Sequence, residues 1–248
     1  MKNYISIPQR VAVRYLKMIL PVLLLIFVAL AGTIYHLDSR NQMRINADVS
    51  HEVLDQTNKT LQTWIDDQLV VIEVLADDVR VIEACANPMD AAAVARANDF
   101  LHSFHRKNGF YENIALSSDL RGDVSFELTA VDGKKHIIKR GVFFADSSRG
   151  DSIGKSNTEH PMAKSIYEGK PNVITHVYRS LIYGNPAFII SLPVRKAGVF
   201  VGAIHVAMPM RHFTDKFVND VKMGQSGYMF MADGRGMLIS HPEKSFIL

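Results

Sequence analysis

Three hydrophobic patterns follow one another along the chain. Met18–Tyr35 is an apolar run of eighteen residues without a charge. At 1.5 Å per residue a helix of that length is about 27 Å long, near the thickness of a bilayer core. Pro21 falls in its first turn, where a missing N–H costs least. From Asp38 to Glu83 there is no glycine or proline. Leu54, Leu61, Ile65, Ile72, Leu75, Val79 and Ile82 recur there at spacings of four and three, with Asn58 and Gln68 in the polar gaps. That heptad seam predicts one long helix. It should end near Asn87-Pro88, because the residue before proline disfavours helix. Met89–Gly109 reads as a second helix, with Asp90 as N-cap and Gly109 just past its end.

The period then changes to two. Tyr111–Ser118 alternates like a strand, and "DLRGDVSFEL" supplies a turn and another strand. Residues 129–157 are rich in Gly, Asp, Ser and Lys and read as a loop excursion. Asn157–Pro171 predicts a short helix stopped by Gly169 and Pro171. Three strands follow, "NVITHVY", "AFIISLPV" and "VFVGAIHVAM", then a helix in "PMRHFTDKFVNDVK". Short turns between consecutive strands imply an antiparallel sheet with helices on one face, an α+β fold. "YMFMAD" and "MLISHP" form a last pair of strands around "DGRG". A lone hairpin is marginal in water, so this one needs more partners. Either the sequence stops inside a second, incomplete lobe, or the hairpin caps the main sheet of a single-lobe protein.

Charge adds orientation. The net charge is +3, but Lys2, Arg10, Arg14 and Lys17 all precede the apolar run, so the remainder carries −1. Those cations hold residues 1–17 in the cytoplasm and send everything after Leu37 outside, into the periplasm of a Gram-negative cell. Ala29–Gly32 offers a signal-peptide-like cleavage site, but the apolar run continues to Tyr35, so an uncleaved anchor in the inner membrane is expected. A near-neutral body gives no footprint for nucleic acid. The single cysteine, Cys85, excludes an intrachain disulfide and reads as a small buried residue.

Chemistry is sparse. There is no phosphate-binding glycine loop, nucleophile elbow or zinc motif. His102 and His105 stand three apart on a helix, but no third ligand is near in sequence, so a solvated face is expected and no metal. Asp77-Asp78 likewise reads as a solvated face, and His241 as structural. No nucleophile, base and oxyanion donor assemble, which argues against an enzyme and against a cofactor.

The order of elements, with "IGKSNTEHPMAKSIYEGKPNVITHVYRSLIYGNPAFIISLPVRKAGVFVGAIHVAM", resembles the ligand-binding half of a double Cache sensor domain. The family's landmarks correspond to Gly169-Lys170, Pro193-Val194, Gly198-Val199 and Val201-Gly202. Gly224, Gly227, Tyr228, Phe230, Asp233, Gly236, His241 and Pro242 resemble the start of its second, membrane-proximal lobe. The resemblance covers roughly residues 37–248. It implies a cytoplasmic tail (1–17), a transmembrane helix (18–36), a long stalk helix (37–87), a PAS-like membrane-distal lobe (88–209), a linker helix (210–223) and the incomplete proximal lobe (224–248). It further implies a sensor of a methyl-accepting chemotaxis receptor, or alternatively of a histidine kinase or a cyclic-di-GMP enzyme. A membrane-anchored interaction module without a small ligand is the competing class. The Leu54–Ile65 part of the seam is expected to pair in a homodimer, and Ile72–Ile82 to pack on its own domain.

Amino-acid-binding members of the family carry R-x-W-Y before the short helix, where this chain has Glu159–Met162, and an aspartate where Ser180 stands. Tyr178 matches the family tyrosine. The resemblance and its departures therefore point to Arg149, Lys155, Ser156, His160, Tyr178 and Ser180 as ligand-binding residues. They imply an organic acid as ligand in preference to an amino acid.

Overall fold

The computed structural model describes residues 7–247 except 131, 149, 157–163, 220 and 224–226. The chain divides into two compact units, Met1–Lys59 and Thr60–Leu248. Helix α1 (Ile7–Ala76) begins in the first. Its best eighteen-residue window has a mean hydropathy of 2.5, and none of that window is buried. Leu24, Leu25, Phe27 and Leu30 lie exposed on successive sides of it. A helix that is apolar all round needs lipid or protein against every face.

In the second unit the end of α1 packs with α2 (Val79–Ala86) and α3 (Ala91–Lys107). The predicted single helix is interrupted. Asp78 leaves helical geometry at φ −67° and ψ 132°, and its carboxylate accepts from the Arg80 N–H at 2.9 Å. The Arg80 guanidinium returns to the same carboxylate at 2.7 Å and lies 3.7 Å over the Phe100 ring. The hydrogen bond from that guanidinium holds the Asp78 carboxyl below its ordinary range. Asp78 is therefore a helix cap, where the sequence suggested a solvated face. The restart also rotates Val79 out of the seam to an exposed position.

The seam residues Gln68, Ile72 and Leu75 are buried, and Leu61 and Ile65 pack partly against the same core. Trp64, outside the heptad reading, is the anchor. Its ring meets Phe213 edge-on at 4.7 Å and lies 6.1 Å from both Phe110 and Phe217. Ile65, expected at a subunit contact, is half-buried and packs against its own domain's core.

The main sheet is antiparallel, in the order β4 (Phe143–Asp146), β1 (Asn113–Ser118), β8 (Val199–Pro209), β7 (Pro186–Lys196), β5 (Val173–Ile174), with β6 (Tyr178–Arg179) also pairing β7. β7 and β8 are joined by Ala197-Gly198, with φ of 49° and 82°. Positive φ at both positions is the tight-turn geometry that matches strand twist. Residues 129–157 are less loop-like than expected. They hold β3 (Lys135–Ile138), which pairs with β2 (Phe126–Thr129) as a separate hairpin, and β4, an edge of the main sheet. "NVITHVY" is not one strand but the two short pieces β5 and β6. Asn157–Ala163 lie outside the described residues, and the rest of the predicted short helix is a single 3₁₀ turn, Ser165–Glu168.

Alternation assigns the faces. Ile114, Leu116, Ile190, Leu192, Ile204 and Val206 join the helices in the core. Asn113, Ala115, Ser117, Ser191 and His205 point to the opposite face, and they are buried too. Helix α4 (Met210–Phe217) follows β8. Beyond it, β9 (Lys222–Met223) pairs β10 (Gly227–Tyr228), and β11 (Met231–Ala232) pairs β12 (Leu238–Ser240). Among the described residues neither pair joins the six-stranded sheet. The Ser240 hydroxyl instead donates to Thr214 of α4 at 2.8 Å.

Candidate functional site

The second sheet face carries a cavity of about 30 Å³, room for a water or two. Its floor is Asn113 and Ala115 of β1, Ile189 of β7, and His205 and Ala207 of β8. Phe143, Ser152 and Lys155 close one side, and Tyr178 with Ser180–Ile182 the other. Glu112, one residue before β1, completes the wall.

Three of the six sequence-predicted residues meet here. Tyr178 lies on β6, registered opposite Ala187 of β7. Burial, and next the charge of Glu112, push its phenol well above the usual range, so the ring lines the site as a neutral hydroxyl. Ser180 begins the turn after β6. Its hydroxyl accepts from the Ile182 N–H at 3.0 Å and donates to the Glu112 carboxylate. Lys155 places its ammonium 2.8 Å from the Leu181 carbonyl, bridging the two sides of the opening. Ser156 is elsewhere: its hydroxyl donates to the Gly141 carbonyl at 2.9 Å, and it does not line the cavity. Arg149 and His160 lie outside the described residues.

Glu112 was not among the sequence candidates. A glutamate at the head of an alternating strand reads as solvent-facing. Yet it is only 7% exposed, and its N–H donates to the Ala207 carbonyl at 2.8 Å, which fixes it to the sheet. One oxygen, Oε1, accepts from Ser180, while Oε2 has no partner among the described residues. Burial raises its carboxyl above the ordinary range, with the Ser180 hydrogen bond and the Lys155 charge pulling it back. The neighbouring Tyr111 hydroxyl donates to Gln68 of α1 at 2.7 Å. The pocket wall is thus tied to the long helix two atoms of backbone away from Glu112.

Beneath the cavity His205 is held by two serines. Its Nδ1 lies 2.8 Å from Ser191 Oγ, and its Nε2 2.8 Å from Ser117 Oγ, which also contacts the Tyr167 hydroxyl. Burial drives the imidazole down from the ordinary 6.5 to about 3, so it stays neutral. A neutral ring has one donor and one acceptor, and two hydroxyls satisfy both. His102 and His105 are half-buried and bond to Ser147, at 2.9 Å to its carbonyl and 2.8 Å to its hydroxyl, where a solvated face was expected. No group of three His, Cys, Asp or Glu side chains suited to a metal occurs among the described residues. Cys85 is buried against the Ser117 carbonyl, and burial raises its thiol far above the reactive range.

The sensor domain of the Vibrio cholerae histidine kinase DctB superposes with a TM-score of 0.63 at 14% identity, covering 81% of this chain and 68% of that one. The ligand-binding domain of the Pseudomonas aeruginosa PAO1 amino acid chemoreceptor PctC, solved with GABA, gives 0.53 at 18%, covering 79% and 76%. That of the Pseudomonas fluorescens chemoreceptor CtaA, solved with L-serine, gives 0.51 at 18%, covering 78% and 70%. At such identities these likenesses speak for the fold alone. No curated protein matches the sequence. The double-type Cache domain family model, by contrast, matches residues 40–248. A match over most of the chain, together with the sheet order and the pocket on its outer face, shows that the chain belongs to the Cache domain family.

Proposed function

We propose that this chain is the extracytoplasmic sensor region of a membrane-anchored signalling receptor, that it binds a small polar ligand in the membrane-distal lobe (residues 88–209), and that it does no catalysis. The observation that carries this reading is the cavity on the outer sheet face. Polar side chains, among them Glu112, Asn113, Lys155, Tyr178 and Ser180, converge on it among apolar walls, the usual make-up of a small-molecule site. The exposed apolar stretch of α1 supports the anchor, with residues 1–17 on the cytoplasmic side and the lobes in the periplasm. Residues 224–248 are read as part of the proximal lobe. A methyl-accepting chemotaxis receptor is the leading assignment, and a histidine kinase or cyclic-di-GMP enzyme the alternative. Lys155 supports an acidic group on the ligand, with Arg149 and His160 as further contributors.

A ligand alters signalling only if it prefers one arrangement of the long helix over another. The Tyr111–Gln68 hydrogen bond is a physical link between the pocket wall and that helix. The test is a melting screen on the full chain in detergent, read by the single tryptophan, Trp64, which sits in the core. A ligand at a hundredfold excess over its Kd adds about 2.7 kcal/mol, roughly 5–10 °C for a domain of this size. If no amino acid, amine or organic acid raises the melt, the ligand-free interaction module becomes the better reading.

We further propose a homodimer through the first part of the seam. Leu54 is 40% exposed, whereas Leu61 and Ile65 already pack on their own domain. Single cysteines at Leu54 and at Asn58 are therefore expected to crosslink between subunits in membranes, and one at Ile72 to stay monomeric. Absence of any crosslink at both upper positions would count against a parallel pair.

A further inference from the structure

Glu112 is the feature of this molecule least explained by packing. Its carboxylate is buried, Oε1 is engaged by Ser180, and Oε2 has no partner among the described residues. Lys155, the nearest candidate counter-charge, is committed to the Leu181 carbonyl at 2.8 Å and forms no ion pair with it among the described residues. A buried carboxylate oxygen without a partner is costly, and such exceptions call for a specific explanation. Here the explanation is on the same wall: Glu112 lines the cavity. So does Asn113, whose Nδ2 likewise has no partner, while its Oδ1 accepts from the Ser147 hydroxyl at 2.8 Å. Two unmet demands therefore stand side by side, an acceptor needing a donor and a donor needing an acceptor.

Resting on the reading of this cavity as the ligand site, we propose that Glu112 Oε2 receives a protonated amine of the ligand, and that the neighbouring Asn113 amide takes an oxygen on the same molecule. The surroundings suit a small cation. Tyr178 and Phe143 supply ring surface, which attracts positive charge, and Ala115, Ile189 and Ala207 give the floor an apolar patch. The small volume restricts the ligand to a few heavy atoms unless the Ser180–Ile182 turn gives way. An ammonium meeting a desolvated carboxylate forms a charge-assisted hydrogen bond, which a hydroxyl in the same position cannot replace. This departs from the expectation of an organic acid in preference to an amino acid. That expectation rested on the missing R-x-W-Y and on Ser180, and the serine holds a carboxylate that lines the same cavity.

Isosteric pairs read this directly. L-alanine and L-lactate differ at one position, ammonium against hydroxyl, and ethanolamine and ethylene glycol differ in the same way. With the full chain in detergent, calorimetry should show alanine or ethanolamine binding at least tenfold tighter than its hydroxyl counterpart. Glu112→Gln keeps the acceptor for Ser180, so the fold should persist with an unchanged or higher melting temperature. Amine affinity should nevertheless fall about thirtyfold or more. Amine binding should also weaken as pH falls through the Glu112 titration, because the carboxyl must be ionised to hold an ammonium. Lactate binding as tightly as alanine, or no amine binding at 10 mM, overturns the proposal. If Tyr178→Ala abolishes the binding of any probe while Glu112→Gln leaves it intact, the amine is wrong and the site stands. If neither substitution changes a measured affinity, the site reading fails with it.

Discussion

A Gly202→Ala chain is expected to lose about 3 kcal/mol of stability and melt roughly 6–12 °C lower, the upper range for overpacking in a domain of this size. Gly202 lies on β8 opposite Ser118 of β1, in the middle of the sheet. A methyl carbon there would stand 2.3 Å from the Ser117 carbonyl oxygen and 3.1 Å from the Cys85 side chain. The nearer obstacle is backbone, which cannot rotate aside, so either β1 or α2 must shift. The glycine is required by this close approach, since its φ is not positive. Heat denaturation followed by circular dichroism measures the effect. Adding Cys85→Ala removes the sulfur but not the carbonyl, so most of the loss should remain. Full recovery in the double variant, or a loss under 2 °C in the single one, would mean that the β1–β8 register is wrong.

The sequence was legible wherever one physical rule acted alone. The apolar run of α1 and the long helix after it follow from length and period, and the β7–β8 hairpin follows from alternation around Ala197-Gly198. Departures arose where two rules competed. Asp77-Asp78 lies inside a good helical pattern, yet Asp78 makes a better cap than an interior residue, and the helix restarts there. Trp64 was hidden beside a heptad that explained its neighbours. β4 was masked by polar surroundings, although "VFFAD" contains the apolar core of the strand. In the site, Tyr178, Ser180 and Lys155 were reached through the family pattern. Glu112 was not, because charge is read locally and burial is tertiary. One signal was present: in "ENIALSS" Glu112 shares the alternating side of Ile114 and Leu116, the apolar side of the strand. A strand buried on both faces has no room for a solvated glutamate at its head.

Acid should destabilise this domain through His205 in particular. Its imidazole is held at about 3, against an ordinary 6.5. Below pH 6.5 the unfolded chain takes up a proton that the folded chain refuses, so stability falls with pH down to about 3. The slope approaches about 1.4 kcal/mol per pH unit, which makes the loss at pH 5 roughly 2 kcal/mol relative to pH 7.5. The groups around the ring are hydroxyls, from Ser117, Ser191 and Tyr167, and none supplies a charge to rescue an imidazolium. Glu112, with its raised carboxyl, acts in the opposite sense: the folded chain keeps its proton longer, which favours the folded state as pH falls. The two contributions are separable by substitution. In His205→Gln the side chain can still donate to one serine and accept from the other, but it cannot titrate. Chemical denaturation of both chains at pH 7.5, 6 and 5 should give a stability difference that shrinks by about 2 kcal/mol toward pH 5. The variant would be the weaker at neutral pH and would approach or pass the parent in acid. A difference that stays constant across that range would show that the folded imidazole titrates normally, and that the serine cradle is open to water.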